Sequence, residues 1–117
     1  MAQERMPAII ESIINEHPDL WDAYQKLGEA AKRAGPLDDK SVRLAKLALA
    51  IGAKSEGSTR SHVRRNLKAG VTMEEMRQVA YLAIATIGWS SAITALSWIN
   101  SAEEERKSEP TQDAPAP

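Results

Sequence analysis

Ser55, Ser58 and His62 are the residues whose types and spacing could do chemistry in this chain. They lie in the run Ser55-Glu56-Gly57-Ser58-Thr59-Arg60-Ser61-His62. If one helix covers the run, Ser55, Ser58 (or Thr59) and His62 share a face, because positions three, four and seven apart stack, and Asn66 continues the stripe. A histidine titrates near neutral pH and can hold or pass a proton. One reading of His62 is therefore a general acid or base in a partly buried pocket, with a displaced pKa and Arg43 nearby. The other is a surface histidine hydrogen-bonded to a neighbouring helix. A serine one turn before a histidine can be a nucleophile if the base is within reach and an oxyanion hole is present. The chain has no nucleophile-elbow pattern and no evident third member, and Ser55 or Ser58 could equally cap a helix.

Cations follow on the same stretch: Arg60, Arg64, Arg65 and Lys68, with Arg43 able to join from the preceding helix. They read either as an anion site for a small carboxylate ligand, with Arg43 or Arg60 holding it, or as a solvated helix face. Cations near a helix C-terminus are favourable in any case. Trp89, just after Gly88, is a candidate for a pocket wall or for the core. The 15 Lys and Arg are matched by 16 Asp and Glu, and no aromatics interleave with the basic cluster, so a nucleic-acid partner is not expected. The two histidines have no ligand spacing between them, so neither a metal nor another cofactor is expected. With no cysteine there is no thiolate nucleophile, no disulfide and no Cys-ligated metal, which suits the cytoplasm. The N-terminus shows no signal-peptide pattern, and the longest apolar stretch, about 79–89, is too short for a membrane span.

These side chains need a scaffold, and the pattern predicts an all-α one. Ala, Leu, Ile and Val dominate the apolar residues, Phe is absent, and no strand-like alternation is found. Apolar spacing predicts a short helix over about 6–16 and a second over about 19–34, stopped by Gly35-Pro36. Asp38 can cap a third, with Leu44, Leu47, Ala48 and Ile51 on its inner face. A fourth holds His62 and ends at Gly70. Thr72-x-x-Glu75 is a capping box that opens a fifth, broken at Gly88. Ser90 or Ser91 starts a sixth. The last two are apolar on more than one face, including Tyr81, Leu82, Ile84, Ile93 and Trp98; a helix apolar all round needs burial on every side, which predicts a homo-oligomer. Residues 1–107 read as one helical domain and 108–117, rich in Pro and polar residues, as a disordered tail.

Three stretches carry a family resemblance. They are Leu37-Asp38-Asp39-Lys40 leading to Leu44-Ala45-Lys46-Leu47-Ala48-Leu49-Ala50; His62-Val63-Arg64-Arg65 followed by Ala69-Gly70-Val71-Thr72 and Glu74-Glu75-Met76; and Ala83-Ile84-Ala85-Thr86-Ile87-Gly88-Trp89. In order and spacing they resemble the carboxymuconolactone decarboxylase family, which includes the alkylhydroperoxidase AhpD-like proteins, over roughly residues 20–100. The resemblance implies a helical AhpD-like domain that assembles as a homo-trimer or hexamer. It also implies one of two chemistries, peroxide reduction by a Cys-x-x-Cys pair with a glutamate and a histidine, or cofactor-independent decarboxylation of a carboxylated lactone. His62 falls on the family histidine. Ser55 and Ser58 fall on the two cysteines, and Arg43 falls where the proton-relay glutamate is expected. Ser58 is also where the decarboxylase branch tends to carry an acid, and Thr86 and Ser90 stand where that branch often shows tyrosine and proline. A hydroxyl is far harder to ionise than a thiol and cannot close a disulfide. The expectation is thus a decarboxylase-like acid–base enzyme on a small carboxylate, with a non-catalytic assembly protein that has lost its redox centre as the alternative.

Overall fold

The structure is a computed structural model and describes residues 7–108. Those residues form six α-helices and no strand: α1 (Ala8–Glu16), α2 (Pro18–Arg33), α3 (Asp39–Gly52), α4 (Glu56–Lys68), α5 (Met73–Ile87) and α6 (Trp89–Ser108). The all-α expectation holds. The tail expected from residue 108 lies outside the described residues, except that Ser108 itself closes α6. No helix among the described residues is long and apolar enough to cross a membrane.

The chain divides into an N-terminal pair of helices and a four-helix unit beginning at Leu37. In the pair, α1 packs on α2 about a bend at His17, with Pro18 in the first turn of α2, where its missing N–H costs nothing. The rings of Trp21 and Tyr24 lie 5.5 Å apart. Neither helix buries a residue, and Leu20, Tyr24 and Leu27 form an exposed stripe.

The helices of the larger unit start where side-chain chemistry says they should. Asp38 caps α3 by accepting from the Ser41 N–H at 2.8 Å, and that bond holds its carboxyl below the usual range. Thr72 and Glu75 form the reciprocal capping box of α5: the Thr72 hydroxyl accepts from the Glu75 N–H at 3.1 Å, and the Glu75 carboxylate accepts from the Thr72 N–H at 2.9 Å. The α5–α6 junction is a single residue, Gly88, at φ 102° and ψ 159°, a backbone region essentially reserved for glycine. The Gly88 carbonyl accepts from the Ala92 N–H, so α6 begins at Trp89, ahead of the serines expected to start it.

The core lies where α3 to α6 converge. Leu47 and Ile51 of α3, Val63 of α4, Met76 of α5 and Ile99 of α6 are buried together. Alanines fill much of the rest: Ala80 and Ala83 of α5 with Ala92, Ala95 and Ala102 of α6. Small side chains at that contact let the helices approach closely. Between α3 and α4 only Ala53, Lys54 and Ser55 intervene, with Lys54 in the left-handed region at φ 57°. The apolar excess seen in the sequence is real in space: Leu49, Leu82 and Trp89 are each more than 60% exposed and Tyr81 about half (71%, 63%, 66% and 51%).

Candidate functional site

Two helices build the site, and their burial pattern orients it. On α4, Thr59, Val63 and Asn66 face the core, which places His62 on one flank and Arg60 on the other, since residues two apart on a helix do not face each other. On α3, Leu47, Ala50 and Ile51 face the core. That puts Asp39, Arg43 and Lys46 on one flank and Leu44 and Ala48 on the opposite one. Asn66 joins the two helices: its side-chain amide, in a residue 1% exposed, donates to the Arg43 carbonyl at 3.5 Å and reaches Met76 Sδ at 3.8 Å. His62 therefore stands half-buried among the cations of α3.

Burial pushes the His62 imidazole down to about pH 4, and the positive charges of Arg65, Lys46 and Arg43 add to the effect. At pH 7 the ring is neutral. Arg65 Nη2 lies 3.4 Å from His62 Nδ1. A guanidinium can only donate, so Nδ1 accepts and the ring proton sits on Nε2. Arg43 Nε is paired with Asp39 at 2.8 Å. Lys46 and Arg65 have no carboxylate partner among the described residues; Arg65 otherwise donates only to the Ser61 carbonyl, at 3.4 Å. The flank thus carries three cations, one compensating carboxylate and a neutral histidine.

The residues expected from the sequence are distributed unevenly about this centre. Arg43 is on the flank of α3 turned to α4, and its charge is felt at His62. Ser58 lies one turn before His62 on the same flank, but no hydrogen bond joins them, so the base contact a serine nucleophile needs is missing. Ser55 is not inside the helix: its hydroxyl accepts from the Ser58 N–H at 3.3 Å as the N-cap of α4. Capping, one of the two readings open for Ser55, is what its hydroxyl does. Arg60 is held on the opposite flank. Its guanidinium bonds Glu56 at 2.9 Å and reaches α6 through Ser101 at 3.1 Å and Glu105 at 3.4 Å. Trp89 begins α6, twelve residues before Ser101, about 18 Å along the helix from the Arg60 contact. Of the two cations that matter most here, Arg65 belongs to the basic cluster read from the sequence, but Lys46 is not prominent there. The usable signal is the three-residue spacing of Arg43 and Lys46, which stacks both on one side of α3.

An apolar groove lies elsewhere. A groove of about 590 Å³ runs between α3 and α5, lined by Leu44, Ala45, Ala48 and Ile51 on one side and Val79, Leu82, Ala83 and Ile87 on the other. It is on the flank of α3 that faces away from Arg43 and Lys46. Of its polar members, Glu75 is engaged by Lys40 at 2.8 Å and Thr86 by the Leu82 and Ala83 carbonyls, and Gln78 is a neutral amide. That groove offers packing surface rather than acid–base chemistry. Among the described residues no three His, Asp or Glu side chains are grouped to hold a metal ion.

Compared with known proteins, the chain matches the model of the carboxymuconolactone decarboxylase family over residues 18–101. No curated protein and no solved structure matches it.

Proposed function

The chain belongs to the carboxymuconolactone decarboxylase family, and on that footing we propose that it is a cofactor-independent decarboxylase or lyase acting on a small carboxylated substrate. Decarboxylation expels CO2, leaves an electron pair on carbon and consumes one proton to cap it. A catalyst without a cofactor therefore needs cations to orient the carboxylate and a group to deliver the proton. The observation that carries the reading is His62: half-buried, on the same flank as Arg43 and Lys46, and within 3.4 Å of Arg65. In this scheme Arg43, Lys46 and Arg65 hold the substrate carboxylate, His62 handles the proton and the Ser58 hydroxyl contributes a hydrogen bond. Ser55 acts through the helix it caps. Arg60 and Trp89 act only through the scaffold. Thiol-dependent peroxide reduction has no place in the scheme, because the chain has no sulfur nucleophile.

The same protein is proposed to be a cytoplasmic homo-oligomer, a trimer or hexamer. Exposed Tyr81, Leu82, Trp89 and Ile93 on α5 and α6 support this, since large apolar side chains left in water on neighbouring helices favour association. Light scattering at micromolar concentration tests it, and a monomer would refute it.

The activity is tested by following CO2 release from carboxymuconolactone and from a panel of small carboxylated lactones. His62→Gln should lower kcat by about 100-fold or more, the usual contribution of a positioned acid or base. Lys46→Met should act mainly on KM. Equal turnover by the parent and His62→Gln would remove His62 from the chemistry, and no turnover with any carboxylate would leave the non-catalytic assembly reading.

A further inference from the structure

The contact between Arg65 and His62 has a property that a simple carboxylate clamp does not need. Arg65 Nη2 donates to the Nδ1 lone pair at 3.4 Å. If His62 gains a proton, Nδ1 becomes a donor, and two donors then confront each other. The contact survives only when something with acceptor atoms comes between them. Lys46 lies on the flank of α3 turned to α4, its charge is felt at the same ring, and it has no carboxylate of its own among the described residues. From α3 the ring also meets Arg43, whose charge is compensated by Asp39. From α6, the other helix packed on α4, Ser101 and Glu105 are turned to Arg60 on the far flank. Among the described residues, no carboxylate therefore stands where an acceptor would fit.

We propose that an oxyanion bridges Arg65 and His62, with Lys46 as its third contact, and that its binding draws a proton onto His62 Nδ1. Between the free and the raised midpoint, the free site is a neutral imidazole held by Arg65 and the occupied site is an imidazolium paired with the ligand. The ligand class is an oxyanion with at least two acceptor oxygens, one for Arg65 and one for the protonated ring. This rests on the reading of the His62 flank as a carboxylate site and adds how the acid is armed. The substrate's own charge brings in the proton that decarboxylation will consume, so an empty site holds no acid. The balance closes: one proton enters with the anion and one leaves as the new C–H bond while CO2 departs.

Sulfate is a suitable probe, because it stays a dianion across the pH range of histidine titration and cannot be decarboxylated. The imidazole C–H signals of His17 and His62, the chain's two histidines, are followed by NMR against pH in dilute chloride and again with added sodium sulfate. His62→Gln assigns the signals. Sulfate should raise the His62 midpoint by about one pH unit or more, the size of displacement an opposite charge within a few ångströms produces, and leave His17 in place. By linkage, a midpoint raised by about one pH unit corresponds to a roughly tenfold gain in sulfate affinity between neutral and acidic pH. Calorimetry near pH 4.5, between the two midpoints, in two buffers of different ionisation enthalpy should show net proton uptake in the parent and none in His62→Gln. The Lys46→Met, Arg65→Met double variant should lose the sulfate response while His62 still titrates. A His62 midpoint that ignores saturating sulfate, or sulfate binding without proton uptake, overturns the proposal. Proton uptake in a protein that turns over no carboxylate would leave it standing and defeat the decarboxylase reading instead.

Discussion

His62 should make the protein lose stability on mild acidification, by an amount that replacing one side chain isolates. In an unfolded chain its pKa is the ordinary value of 6.5, and in the folded protein burial and the neighbouring cations bring it to about 4. The unfolded state therefore takes up the proton first. The contribution is fully present above about pH 6.5 and is lost as the pH falls from there towards 4. For a fully enclosed group the two values correspond to about 2 kcal/mol lost by pH 5 and about 3 by pH 4. His62 is only half-buried, and solvent screens its neighbours, so roughly half is expected: about 1 kcal/mol at pH 5 and about 1.5 at pH 4. The assay is urea unfolding of the parent and of His62→Gln at pH 7, 6, 5 and 4, in dilute chloride without multivalent anions. Carboxylate titration affects both proteins and cancels in the difference. His62→Gln, neutral throughout, should gain on the parent by those amounts as the pH falls. Parallel stability curves from pH 7 to 4 would mean that His62 titrates normally, and the electrostatic description of the flank would then be wrong.

Three further outcomes follow from other parts of the fold. Thr59 is fully buried and its hydroxyl has no hydrogen-bond partner among the described residues; Thr59→Val, which keeps the shape and removes the unsatisfied group, should be neutral or stabilising by about 1 kcal/mol in thermal unfolding. Gly88→Ala should destabilise by about 1–3 kcal/mol even though nothing lies within 4 Å of the new Cβ, because the cost is backbone conformation rather than space. Arg60→Gln should lower the melting temperature through the lost α4–α6 contacts and leave the NMR midpoint of His62 unchanged; a moved midpoint would mean that the two flanks of α4 are electrically coupled.

Much of the scaffold was legible because its signals are local. The caps at Asp38 and Thr72 and the stop at Gly88 are decided by a few adjacent residues, and all three appear where the sequence puts them. The start of α6 was misplaced by one or two residues because Gly88 fixes it through its backbone, which outranks the capping preference of Ser90 and Ser91. The site was legible only in part. His62 and Arg43 could be placed together. Ser55 could not be resolved between cap and stripe until the first turn of α4 was seen. Arg60 was grouped with His62 because the two are close in sequence, but a two-residue step turns a side chain to the other side of a helix, and Glu105, more than forty residues away, holds it there. Lys46 reads as an ordinary surface lysine until α4 is laid beside α3. Which flank of a helix meets which neighbour is a long-range fact, and no local pattern encodes it.

The three-residue link between α3 and α4 sets the order of events when the chain folds. Arg43, Lys46, His62 and Arg65 span 23 positions and belong to one helical hairpin, so their approach closes a short loop at little entropic cost. The contacts that fasten this hairpin to α6, such as Arg60 with Ser101 and Glu105, reach across more than forty residues and come later. The charged hairpin can thus close before it is fastened to α6. Three like charges must be drawn together before the far helix is there to secure them, and Asp39 and the Asn66 bridge to the Arg43 carbonyl are the groups positioned to offset that repulsion early. Salt should therefore speed folding more than it slows unfolding, a kinetic signature of a cationic site built into a local hairpin.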